Sequence, residues 1–132
     1  MNMKVKIAAL CLIVVTIFGT IAYAAELAPY ADSEFSMASA SLMKGKDVTF
    51  SCSTNQRKNA IRITKCWLQK KTNNVWRKEC DLVAPSVVAE NTAAYGAYMD
   101  YSSDIGTGTY RIGFTVDADG HAITRYSNER TF

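Results

Sequence analysis

Along most of this chain, apolar and polar residues alternate one for one. That is the period of a half-buried β-strand and not of a helix. Val48, Phe50 and Cys52 alternate with Thr49, Ser51 and Ser53, a run of good strand formers with one face inward. The stretch 34–43 reads as the first strand, and the polar residues 53–59 (STNQRKN) read as a loop. From Ile61 to Gln69 both faces are apolar. Strict alternation puts Ile61, Ile63, Lys65 and Trp67 on one face, and Arg62, Cys66 and Leu68 on the other. This suits an inner strand with neighbours on both edges. KTNN makes a turn, with Asn73 or Asn74 able to take a positive φ. Val75 to Leu82 follows as a strand whose Trp76, Cys80 and Leu82 look inward, and Ala84-Pro85 ends it.

Residues 86–97 are less periodic and read as a loop, with a weak strand at about 95–101. A short helix over 86–94 is the alternative, weakened by Asn91, Thr92 and Gly96. Thr109 to Val116 is the clearest strand, with Tyr110, Ile112, Phe114 and Val116 inward and Arg111, Gly113 and Thr115 outward. Asp117-Ala118-Asp119-Gly120 predicts a four-residue hairpin connection into a last strand at 121–126. About seven short strands joined by Gly, Asn and Asp turns predict an all-β, antiparallel sandwich.

The first residues break this pattern. Lys4 and Lys6 precede an apolar run, and Ala22-Tyr23-Ala24 follows as a small-x-small cleavage site. We read residues 1–24 as a cleaved secretory signal peptide. Its apolar stretch is shorter than the roughly 20 residues that span a bilayer, so no membrane association is expected after cleavage. Residues 25–45 are then an N-terminal segment and first strand, and 46–132 the remainder of one domain. Secretion implies an oxidising compartment and disulfides. Without Cys11 the cysteines are Cys52, Cys66 and Cys80, an odd number. Cys66 and Cys80 are equidistant from Asn73, and a three-residue turn at 72–74 would set them opposite each other. Their Cα atoms would stand about 4.5 Å apart, within disulfide reach. Cys66–Cys80 is the preferred pair, with Cys52 free and buried. Cys52–Cys66 and Cys52–Cys80 stay open, because a sandwich can bridge its two sheets. The odd thiol also leaves room for an intermolecular disulfide dimer.

Charge divides the chain. Residues 44–78 hold ten basic side chains against Asp47 alone, whereas 79–104 hold five acids and no Lys or Arg. The whole chain carries a formal charge of +3. The basic stretch is interleaved with Trp67 and Trp76. Arg57, Lys58, Arg62, Lys70, Lys71 and Arg77 are the candidates for binding an anionic surface such as wall teichoic acid, or for steadying a glycan stacked on an exposed tryptophan. Secretion and nearly balanced charge argue against nucleic acid.

Catalytic chemistry finds little support. His121 is the only histidine, beside a turn, and no G-x-S-x-G elbow is present. Asp117-x-Asp119-Gly120 resembles part of a calcium loop. Aligned on Gly120, however, Thr115 and Tyr126 stand where carboxylates are required. Close C-x-x-C pairs for zinc are missing, and so is a Gly-rich phosphate loop. No metal, cofactor or enzymatic activity is expected. The reading that remains is a non-catalytic binding module acting outside the cell or at its wall, on an extracellular ligand. The alternative is a secreted effector or bacteriocin-like protein. A small hydrolase using Cys52 or a serine with His121 comes last.

Two resemblances attach to particular residues. Cys52 followed by Trp67, the Trp67-Leu68-Gln69-Lys70 stretch and Gly108-Thr109-Tyr110 resemble immunoglobulin-like domains, the last being similar to the tyrosine corner. Ile112 stands where those domains carry their second cysteine, and Gly106 where an acid is usual. Residues 68–76 (LQKKTNNVW), 108–112 (GTYRI) and 123–128 (ITRYSN) resemble a family of small secreted proteins of clostridial-type Gram-positive bacteria. That likeness covers most of 46–132. It implies secretion, and it implies no activity.

Overall fold

The computed structural model describes residues 32–132. The signal peptide and cleavage site expected from the sequence, and Cys11, lie outside the described residues. Seven strands follow one another: β1 (Phe35–Leu42), β2 (Asp47–Thr72), β3 (Val75–Leu82), β4 (Val88–Asp100), β5 (Thr109–Ala118), β6 (His121–Tyr126) and β7 (Arg130–Thr131). A 3-10 turn at Ser102–Asp104 separates β4 from β5. Every pairing is antiparallel. All seven strands belong to one sheet, curled into a half-barrel.

The curl is organised by β2, which is 26 residues long. Its first half, 48–54, pairs with β1, and its second half, 61–70, pairs with β5. β4 and β3 take the other edge in turn. In place of the two packed sheets expected from the sequence, there is one continuous sheet threaded by a single strand. Residues 53–59, read as a loop, are part of that strand. Its register with β4 is interrupted between Ser53 and Lys58, where the strand changes partner. The Thr54 hydroxyl donates to the Gln56 carbonyl there (2.6 Å), which satisfies a buried side chain at the irregularity. The curl lets the halves share one core, with Phe50 meeting Phe114 edge to face at 5.2 Å.

A bulge sets which residues look inward. Ile63 pairs with Val116 and Lys65 with Thr115, so Thr64 is an extra residue on β2. The extra residue reverses the alternation. Ile61 and Ile63 before it, and Cys66 and Leu68 after it, all enter the core. The apparently two-faced apolar run is therefore one apolar face with a phase change in it. Arg62, Lys65 and Trp67, divided by strict alternation, come out on the same outer face.

Two hairpins turn more tightly than the sequence suggested. Asn73 and Asn74 have φ of 53° and 63°, and Thr72 pairs with Val75. Asp119 and Gly120 have φ of 53° and 92°, and Ala118 pairs with His121. Both are two-residue connections with two positive φ values, whose twist matches that of the flanking strands. Residues 88–100 are a 13-residue strand and not a loop or helix. Asn91 takes a positive φ of 50° within it.

Candidate functional site

The turn at Asn73-Asn74 decides the fate of the cysteines. With a two-residue connection and a bulge at Glu79, Cys80 stands opposite Leu68 and Cys66 opposite Leu82. The predicted face-to-face arrangement of Cys66 and Cys80 becomes a diagonal one, where Cα atoms lie about 7–8 Å apart, beyond disulfide reach. Cys52, Cys66 and Cys80 are all free thiols. Burial pushes the Cys52 thiol up to about 11. Burial also raises Cys66, whose Sγ lies 3.3 Å from the Tyr101 hydroxyl. Cys80 is raised by burial first and then by Asp104, Glu79 and Asp81. All three shifts disfavour the thiolate, the form that attacks.

His121 faces a carboxylate and not a nucleophile. Its Nε2 lies 3.0 and 3.1 Å from the two carboxyl oxygens of Asp32, and its ring lies 6.0 Å from that of Phe35. Asp32 Oδ1 also accepts from the Glu34 and Phe35 amides at 2.8 and 2.9 Å. Burial opposes ionisation of Asp32, but those amides and His121 outweigh it and hold the carboxyl at about 2. This group ties the start of β1 to β6. The two aspartates of the calcium-like fragment are likewise occupied. Asp117 accepts from the Gly120 amide, and Asp119 from the Asn59 and Ala60 amides.

The outer face of β3-β2-β5-β6 is different in kind. Arg62, Lys65, Trp67, Gln69 and Lys71 line β2 on this side. Trp76 stands opposite Lys71, Arg111 opposite Gln69, and Tyr126 opposite Gly113 beside Trp67. The Arg111 guanidinium is sandwiched between rings, 4.4 Å from the Trp76 centroid and 4.1 Å from that of Tyr126. Its Nε donates to Gln69 Oε1 at 2.6 Å. Trp67 meets Tyr126 edge to face at 6.2 Å, and Lys71 Nζ lies 5.6 Å from the Trp76 ring. Gly113 makes room for this layer, because a Cβ there would overlap the Trp67 indole. Trp76, expected inward, is outward because the bulge at Glu79 reverses the alternation of β3 as Thr64 does that of β2.

The six basic candidates do not form one patch. Arg57 lies at the interrupted part of β2 and donates to the Asn91 carbonyl. Lys58 is paired with Glu34. Arg62 and Lys71 are on the outer face, Lys71 with Glu129 at 3.8 Å. Lys70 and Arg77 are directly opposed across β2 and β3, on the inner side. Arg111 and Tyr126 were not nominated from the sequence. Arg111 was placed outward by alternation, yet nothing local signalled its two ring partners. A shallow acidic depression of about 250 Å³ is bordered by Asp81, Met99, Asp100, Tyr101 and Asp104, and it meets this face at Asp81, which stands opposite Trp67. No protein-family model, curated protein or solved structure matches this chain.

Proposed function

We propose that the protein is a secreted, non-catalytic binding module that engages an extended anionic polymer of the bacterial exterior, of the wall teichoic acid type. One observation carries the reading. The Thr64 bulge brings Arg62, Lys65 and Lys71 onto one outer row with Trp67, and Trp76, Arg111 and Tyr126 stand beside it. At about 3.3 Å per residue the row runs for roughly 25–30 Å, long enough for several repeats of such a polymer. Rings that hold cations in place lower the entropy lost when those cations meet an anion. Thiols held protonated, and a histidine committed to Asp32, support the absence of catalysis.

An immunoglobulin-like sandwich belongs to the same reading. Its support is the Tyr110 hydroxyl, which donates to the Thr107 carbonyl at 3.3 Å in the manner of a tyrosine corner. So does a cleaved leader at 1–24, which amino-terminal sequencing of secreted protein tests directly.

The functional test is retention on purified Gram-positive walls, with and without teichoic acid extraction. Retention should fall after extraction, fall with salt, and be weakened in R62Q/K65Q/K71Q. Retention indifferent to salt and to that triple variant would sink the proposal.

A further inference from the structure

The inner face of the sheet ends in a tier that a core has no use for. Two tiers on this face are apolar: Cys66 opposite Phe114, and Leu68 opposite Ile112. The next tier runs Arg77, Lys70, Tyr110, Arg130 across β3, β2, β5 and β7. Tyr110 is buried at 2% exposure, whereas Arg77 and Arg130 reach solvent. Lys70 Nζ lies 5.7 Å from the Tyr110 ring. The Phe132 ring lies 6.5 Å from that of Tyr110, and Lys46 Nζ lies 5.5 Å from Phe132. Two aromatic rings thus gather Lys46 and Lys70 at the end of the sheet where Arg77 and Arg130 also stand.

Among the described residues, none of the ion pairs within 4 Å involves Lys46, Lys70, Arg77 or Arg130. The nearby acid Glu129 is turned to Lys71 on the other face. Lys46 Nζ and Arg130 Nε instead donate to the backbone carbonyls of Ile105 and Leu42, which fixes where their charge sits. Like charges directly opposed across two strands destabilise a sheet. Lys70 against Arg77 is such a pair, and among the described residues no ion pair within 4 Å compensates it.

We propose that this tier is a binding site for a tetrahedral oxyanion of the phosphate class, with Lys46, Lys70, Arg77 and Arg130 as its ligands. Such an anion neutralises the opposed charges and accepts several charge-assisted hydrogen bonds at once. The site lies on the inner face, opposite the outer row, and does not rest on the function proposed for that row. A free phosphate ion and a phosphodiester of a wall polymer share the required chemistry.

The test uses the full secreted chain and inorganic phosphate, with chloride at matched ionic strength as the reference, read by calorimetric titration and by thermal melting. Phosphate should bind saturably and raise Tm more than chloride does. K70Q/R77Q should weaken phosphate binding by about tenfold or more and abolish the difference in Tm. That variant removes a repulsion, so it should fold at least as well as the wild type. K65Q, on the outer face, should leave phosphate affinity unchanged. A glycerol phosphate oligomer binding more tightly than phosphate, and lost in the same variant, identifies the polymer as the source; equal affinity identifies the free ion. Phosphate acting no differently from chloride, or K70Q/R77Q responding like wild type, overturns the proposal.

Discussion

The two halves of β2 have similar inner faces and unlike outer ones. Inside, Val48, Phe50 and Cys52 in the first half match Ile61, Ile63, Cys66 and Leu68 in the second, all buried in one core. Outside, the first half shows Thr49, Ser51 and Ser53, flanked by Met37, Ser39 and Ser41 on β1 and by Ala94, Gly96 and the exposed Tyr98 on β4. Its contacts are small ones, such as the Ser39 hydroxyl on the Ser51 carbonyl and Ser36 on Ser53, each at 3.3 Å. The second half shows Arg62, Lys65, Trp67, Gln69 and Lys71, with Trp76, Arg111 and Tyr126 stacked beside them. Apart from Met37 and Tyr98, the first half holds its sheet with small residues outside and carries no stacked ring and no cation on β2. Rings and cations are gathered together only on the second half, and that concentration motivates a binding role.

The comparison can be broken at several points. The largest effect is expected for Phe114→Ala. Phe114 is fully buried against Phe50, so the change should cost about 3–5 kcal/mol. Both halves should melt together, followed in urea by tryptophan fluorescence for the second half and by amide exchange at 48–54 for the first. Separate transitions would mean that the halves are independent and the shared core a misreading. Gly113→Ala should cost about 1–3 kcal/mol by forcing Trp67 off the sheet, with a change in its emission and weaker wall retention. An unchanged spectrum would show that the ring is not held there.

Smaller effects separate the faces further. The Asp32 carboxyl is held at about 2 against an ordinary 3.8, so it stabilises the fold fully above pH 4. That contribution should be lost as pH falls from about 4 to 2, and Asp32→Asn should flatten this part of the stability curve. A wild-type curve already flat there would remove the tie between β1 and β6. Trp76→Ala should cost about 0.5–1 kcal/mol, the worth of an exposed cation–π contact, while lowering wall retention more than that loss implies. Ser51→Val, on the plain half, should stay within about 0.5 kcal/mol and leave retention intact. A retention defect in Ser51→Val would assign binding to the wrong half.

Strand identity was legible wherever alternation was unbroken. Tyr110, Ile112, Phe114 and Val116 are buried as expected from their spacing. Val48, Phe50 and Cys52 are too. What was not legible were the places where one residue is inserted. Thr64 hid the common face of Arg62, Lys65 and Trp67, and Glu79 hid the outward Trp76 and set Cys80 opposite Leu68. Nothing in their chemistry marks either residue as a bulge, because the bulge is fixed by the partner strand's register. Residues 53–59 looked like a loop because they are polar. They are strand because β4 and the turn before β6 supply their pairing, as Asp119 does for Asn59 and Ala60. The oxyanion tier was half visible, in Lys70 and Arg77. Lys46 and Arg130 joined it only through long-range ring contacts and pairing.

The extra residue at Thr64 has a consequence for reading any relative of this chain. Inward and outward are recorded along β2 as odd and even, and Thr64 acts as a single inserted bit that resets the parity. A homologue without that residue keeps its tryptophan outside and its leucine inside by plain alternation, whereas one that keeps the residue but pairs it without a bulge must swap the odd and even characters downstream of it. A one-residue gap at 64 or at 79 would therefore leave the surface as it is, whereas a one-residue gap elsewhere in the paired parts of these two strands would exchange their faces, even between sequences that otherwise align letter for letter.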